Sequence, residues 1–268
     1  MYKKILASLV VYIIVVVLSI FLIQGAQSNL FLSSSWILLV AIVMGLITGV
    51  REGRRQGKYR AIIIDGQVPR HTIGSVMEHW GGAVGIFLLI ASGRMLGFVF
   101  AQAQSGGGIY PKNLHFLGLF YTLIFGCYFL GRFIVSKELR EIMPGVKDVV
   151  NGTIRKYLFR FKWKDTGRYL ASQKSAFLAF AVVGAVVLIT GAIKVFAGIW
   201  PVSSRTLEGA THAHDIFAIV FMIVLVIHIL FVIVVPAHWR LLVSWFTGTM
   251  SEDYVKKEKP DWYAKLTK

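Results

Sequence analysis

The sequence predicts an all-α fold, a polytopic membrane bundle of six transmembrane helices, and three observations predict it. Of 268 residues, 56% are hydrophobic and only 16% charged, against roughly 25% charged in an ordinary soluble domain. The apolar residues fall in six blocks, residues 5–23, 34–50, 72–100, 113–135, 175–198 and 211–235. Each block has about 17 residues or more, enough helix to cross hydrocarbon at a rise of about 1.5 Å per residue. The basic residues are sorted between the blocks. If all six cross, residues 1–4, 51–71, 136–174 and 237–268 share one side and hold 24 of the 29 Lys and Arg. The opposite loops, 24–33, 101–112 and 199–210, hold only Lys112 and Arg205. This asymmetry puts both termini in the cytoplasm. It also accounts for the net charge of +16 without nucleic acid, with anionic membrane lipid as the natural counterpart.

Taken in order, the first block follows Lys3 and Lys4 and is longer than the core of a secretory signal, so it reads as a retained helix. With the second block it makes an N-terminal unit, residues 1–60, assigned to lipid, homo-oligomer or further-subunit contacts. Residues 61–240 form the core. Its first block, 72–100, is long enough to tilt or to project past the headgroups. Gly106-Gly107-Gly108 supplies a turn before block 113–135. Residues 136–174 are the one large hydrophilic insertion, basic and carrying Tyr157, Phe159, Phe161, Trp163 and Tyr169. Beside a membrane that mixture reads as an interfacial anchor rather than a single-strand binding stripe. Residues 241–268 make a cytoplasmic tail. The lone cysteine, Cys127, excludes a disulfide framework, a cysteine-ligated zinc site and covalent haem attachment.

The histidines carry the chemistry, because an ionisable group inside hydrocarbon points to function. His79 lies about 10 Å into its block from the cytoplasmic end, and His228 lies about 12 Å from the cytoplasmic end of the sixth. His115 and His214 share a second level, near the outer ends of the fourth and sixth blocks. His214 and His228 are 14 residues apart, about 40° short of four full turns, so both project from nearly one face with about 21 Å between them. Two depth-matched pairs of imidazoles in a helix bundle predict two bis-histidine haem sites in a four-helix core, non-covalent and therefore haem b. Gly81, Gly82, Gly85, Gly118 and Ala218 are candidates to let a porphyrin approach the backbone. Helix–helix packing is the competing reading of each. Arg94, Arg132 and Lys194 are candidate propionate contacts, with snorkelling as the alternative. Glu78, beside His79, is either a proton relay or the partner of a basic side chain. His71, His212 and His238 read as boundary residues.

These same residues resemble the cytochrome b (gamma) subunit of membrane-bound formate dehydrogenases. Arg70, His79-Trp80, Phe87 and Ser92-Gly93 are similar to that family's first core helix, and Leu114-His115, Gly118 and Arg132-Phe133 to its second. Arg168-Tyr169, Gln173-Lys174 and Thr190-Gly191 resemble its loop and third helix, and His214, Ala218 and His228 its fourth. Gly248-Thr249-Met250-Ser251, Lys256-Lys257, Pro260 and Trp262-Tyr263 resemble its tail. The resemblance implies an outer haem on His115 and His214 and an inner one on His79 and His228. It also implies an outer-face iron–sulfur (beta) subunit, a molybdenum or tungsten catalytic (alpha) subunit behind it, and a quinone, usually menaquinone, near the inner haem. Gln173 and Lys174 fall in the implied quinone neighbourhood; Leu170 stands where the family usually has Asn. A cytochrome b for a hydrogenase or another molybdenum oxidoreductase, a haem-free transporter using the histidines as a relay, and a purely structural anchor are the other readings.

Overall fold

The computed structural model describes residues 2–56, 63–97, 108–136 and 138–267. Six helices, first to sixth, are long and apolar enough to cross a membrane: Tyr2–Gln24, Trp36–Gln56, Ile73–Leu96, Ile109–Val135, Ala171–Phe196 and Ser204–Val234. Gly106, Gly107 and the last three residues of the block 72–100 lie outside the described residues.

Helix ends differ from the ends of the apolar blocks because polar caps, not hydrocarbon, terminate a helix. The sixth helix begins at Ser204, where Ser203 Oγ accepts from the Thr206 N–H at 3.1 Å, so half of the expected loop 199–210 is helical. The fifth begins at Ala171, and Gln173 Oε1 accepts from the Leu170 N–H at 3.0 Å. The third ends earlier than its block, at Gly97, whose φ of 85° is open to glycine at no steric cost.

Small residues set the packing. Gly45, Gly49 and Gly53 run along one face of the second helix, and a Cβ at any of them would overlap the Ile124, Tyr128 or Arg132 carbonyls of the fourth. The third helix crosses the fourth where Gly85 and Gly118 face one another, while the Phe125 ring fills the space beside Gly81. Of the two readings of Gly81, Gly85 and Gly118, porphyrin approach and helix packing, the structure bears out helix packing for all three. Gly82 alone of the four has nothing within 4 Å of a built Cβ. The first helix lies over the third and fourth, with the Tyr12 ring edge-on to Tyr121 and Phe125 and its hydroxyl donating to the Gly81 carbonyl at 3.2 Å. The fifth and sixth helices pack on each other. They meet the fourth through side chains, such as Phe129 and Phe177, whose ring centroids are 5.6 Å apart.

At the basic end, two short strands, β1 (Gln67–Pro69) and β2 (Thr249–Ser251), pair antiparallel with Val68 opposite Met250. Val68, Leu170, Leu241, Met250, Val255 and Trp262 form a small buried core there, which ties the tail back to the third and fifth helices. Strands of three residues are too short for periodicity to reveal. The insertion folds into short helices, Glu138–Ile142, Val146–Val149 and Lys156–Phe159, with a π-helical turn over Val150–Arg155. Of its five aromatics, Tyr157 packs on Phe231 and Trp163 donates to Asp165, whereas Phe159 and Phe161 are exposed. Val146, Val150, Ile154 and Leu158, spaced by four, are also exposed, so the apolar face of this segment is mainly aliphatic.

Candidate functional site

The site is clearest where the fourth and sixth helices meet. His115 and His214, on separate helices and 99 positions apart in the chain, have ring centroids 6.5 Å apart. Two imidazoles ligating one metal ion from opposite sides, with bonds of about 2 Å, place their centroids about 6 Å apart. The observed spacing therefore fits a metal centre held between them.

The hydrogen bonds fix which ring nitrogens keep a lone pair free to ligate. His214 Nδ1 lies 3.0 Å from the Val187 carbonyl; a carbonyl only accepts, so Nδ1 carries the proton and Nε2 keeps a lone pair. His115 Nδ1 lies 2.9 Å from Ser92 Oγ, and Ser92, fully buried, gives its own proton to the Leu88 carbonyl at 2.6 Å. Ser92 Oγ must then accept from His115 Nδ1–H, which frees the second Nε2 in the same way. Thr190 Oγ1 stands 3.2 Å from His214 Nδ1, and at Gly191 a Cβ would lie 3.0 Å from the imidazole Cε1, so glycine lets the ring lie against the fifth helix. Histidine ligands are commonly oriented in this way through their second nitrogen. Phe31, from the short helix Leu30–Ser33, covers His115 at a centroid distance of 6.4 Å. Asn113 secures that turn: its side chain accepts from Leu30 N at 2.9 Å and donates to the Ser28 carbonyl at 3.0 Å. Ser92, Thr190 and Phe31 escaped sequence reasoning as orienting residues because nothing local marks a hydroxyl or a phenyl ring as an imidazole's neighbour.

Ser92→Ala should weaken cofactor retention at this site by roughly 10- to 100-fold, the usual cost of losing such an orienting bond. Thr190→Ala should cost less, since the Val187 carbonyl still holds His214. Haem stoichiometry after dilution into apomyoglobin as a haem acceptor checks both; equal retention in wild type and Ser92→Ala would contradict the orienting role.

The second pair is arranged differently. His79 lies flat on Trp245, centroids 4.2 Å apart, and His228 meets Phe180 edge-on at 5.6 Å. No ring contact joins these two histidines among the described residues, and neither makes a side-chain hydrogen bond there, so no ring nitrogen of either is committed to a protein partner. The unbroken sixth helix carries both His214 and His228, which keeps them about 21 Å apart along its axis. Among the described residues no group of three or more His, Cys, Asp or Glu is placed to hold a bare metal ion. A cofactor that brings its own equatorial ligands and takes two imidazoles suits this donor set.

The candidate propionate contacts separate. Lys194 Nζ is 3.9 Å from the buried Asp215 carboxylate, beside His214, and its charge reaches both His115 and His214. Arg94 is exposed at the end of the third helix. Arg132 is engaged by protein carboxylates: it donates to Glu78 at 3.1 Å and forms a very short contact with Glu138. Glu138 also accepts from Arg168 at 2.6 Å. Burial raises the Glu138 carboxyl, but Arg168 and Arg132 outweigh it and hold the group below its ordinary value. Glu78 thus meets a basic side chain. Gln173 caps the fifth helix and accepts from Arg70 at 3.5 Å, and Lys174 pairs with Asp148 at 3.2 Å.

His71 and His238, read as boundary residues, flank the ends of spanning helices and are buried within the protein, 5% and 4% exposed. His71 stacks on the face of Trp245 at 3.7 Å, and His238 Nε2 is 3.2 Å from Ser172 Oγ. His212 remains half-exposed near Glu208.

A family model described as prokaryotic cytochrome b561 matches residues 70–248, which takes in all four predicted ligands. No curated protein matches the chain.

Proposed function

The chain belongs to the prokaryotic cytochrome b561 family, which makes it a multi-pass membrane protein of haem b electron transfer, and from that premise we propose that it is the dihaem cytochrome b subunit of a formate dehydrogenase-type complex. In this reading His115 with His214 and His79 with His228 are the axial ligands, and both termini face the cytoplasm. The observation that carries it is the 6.5 Å His115–His214 pair with both Nδ1 atoms already bonded. Haem b at these positions supplies reversible one-electron chemistry. The residues supply the rest: Ser92, Thr190 and Val187 hold the ligand tautomers, Lys194 offers positive charge beside one pair, and Phe31 covers it. The partner would be an iron–sulfur subunit at the outer face, linking the chain to a molybdenum or tungsten catalytic subunit. Menaquinone or another quinone would react near His228, with Gln173 and Lys174 close to its pocket. The aliphatic face of the insertion and the basic residues around it would rest on anionic lipid. The formate-type partner is supported by the resemblance of the tail Gly248–Ser251 through Tyr263 and of the Gln173-Lys174 motif.

The test is purification of the intact complex in mild detergent, with a pyridine haemochrome count and identification of the co-purifying subunits. Two b haems per chain, reduced by formate and reoxidised by a menaquinone analogue, are expected. Co-purification of a hydrogenase catalytic subunit would replace the formate partner, and haem-free folded protein would end the reading.

A further inference from the structure

Charge is out of balance at the basic end of the third helix. Arg70 precedes that helix, yet its guanidinium reaches across to the start of the fifth: Nη2 donates to Gln173 Oε1 at 3.5 Å and Nη1 to Met250 Sδ at 3.3 Å. Arg70 is 2% exposed, and both of these acceptors are uncharged. All 13 Asp and Glu of the chain lie among the described residues, and none of the ion pairs there includes Arg70. Glu78 and Glu138, the acids of this region, are taken by Arg132 and Arg168. Burial, then the neighbouring Arg168, push the Arg70 guanidinium down to about 10, which leaves it charged at neutral pH.

Three nitrogens in the same neighbourhood lack a partner among the described residues: Arg70 Nε, His71 Nε2 and Arg168 Nε. Arg168 itself donates to the Arg70 carbonyl, so the groups belong to one cluster. A buried guanidinium without a counter-charge is strongly unfavourable, and neutral acceptors offset little of it. The cluster adjoins one candidate ligand pair: His71, next to Arg70 in the chain, and His79 sandwich the Trp245 indole, each at an interplanar angle of 18°, so one ring separates the His71 imidazole from the His79 imidazole.

We propose that Arg70, with His71 beside it, is the anchor for an acidic oxyanion group, a propionate carboxylate of the haem held by His79 and His228. The cofactor then brings the negative charge that the polypeptide omits. Arg132, already shared between two carboxylates, is not the anchor. The proposal rests on the dihaem reading above. The phosphate of an anionic phospholipid offers the same chemistry, and the experiment separates the two sources.

The experiment uses the intact protein as wild type, Arg70→Gln and Arg70→Lys. It measures haem per chain, the resonance Raman propionate-bending bands, both midpoint potentials and tightly bound phospholipid. Removing a positive charge beside a haem disfavours its reduced form. Arg70→Gln should therefore shift a propionate band and lower one reduction equilibrium about tenfold, 59 mV for a one-electron couple, with the other unmoved. Arg70→Lys should restore the potential, because it restores the charge, but not the band, because it lacks the planar fork. If Arg70→Gln does not accumulate, the band shift in Arg70→Lys decides. Unmoved bands and potentials in a two-haem protein overturn the anchor; if phospholipid is lost at the same time, the oxyanion is the lipid phosphate. A wild type with fewer than two haems overturns the dihaem reading first, and the anchor falls with it.

Discussion

Alanine at His115 and alanine at His214 should each remove the same b haem, and alanine at His79 or His228 the other. The reason is geometric. His115 and His214 already stand 6.5 Å apart with their Nδ1 atoms bonded to Ser92 and Val187, so either alone offers one oriented ligand and no partner. The haemochrome count should fall from two per chain to one in each variant. Reductive titration gives the sharper check: the potential that survives in His115→Ala should equal the one that survives in His214→Ala and differ from that in His79→Ala. Different surviving potentials in the first two variants would break the pairing. The about 21 Å between His214 and His228 makes the two losses separable, because a ligand change at one level leaves the other level's contacts intact.

Arg132→Met should destabilise the protein by about 3–5 kcal/mol, the usual cost of removing one partner from a buried ion pair. The Arg132 side chain is 6% exposed and meets two carboxylates, Glu78 and Glu138, whose side chains are 13% and 16% exposed. Without it, Glu138 keeps Arg168 but Glu78 has no ion-pair partner among the described residues. In the wild type Glu138 titrates below its ordinary value, so its stabilisation is present above about pH 4.5 and is lost as pH falls through the lower folded value. Thermal unfolding in detergent at pH 7 measures the loss in Arg132→Met, and wild-type melting followed from about pH 5 downward measures the Glu138 contribution. An Arg132→Met melting temperature equal to that of the wild type at pH 7 would show that the acids are not stranded.

The legibility of this protein is uneven, and particular residues show why. Six spans could be read because crossing hydrocarbon demands one contiguous apolar run per helix, a purely local requirement. The run does not say where the helix stops: Ser203 and Gly97 move the ends of the sixth and third helices from their expected places. His115 and His214 were legible as a pair because depth follows from counting residues along a helix. Gly81, Gly85 and Gly118 were read partly toward a cofactor and are used for helix contact, since a glycine's sequence position does not say what approaches it. The same holds for cations. Arg132 and Arg70 look alike in the chain, one beside Phe133 and the other before His71. Only the fold gives the first two carboxylates and the second none.

The sequence alone therefore determined the bundle, its charge asymmetry and the two levels of histidine, because membrane thickness and helical rise act on neighbours along one chain. Tertiary structure decided which imidazole nitrogen is free, which glycines are filled and which arginine is left without a counter-charge. Each of those depends on partners brought together from distant positions: Ser92 to His115, Val187 to His214, Glu78 to Arg132, and Arg70 to Gln173 and Met250. Hydrogen bonds and ion pairs act over a few ångströms in space, and no spacing along the chain encodes that distance.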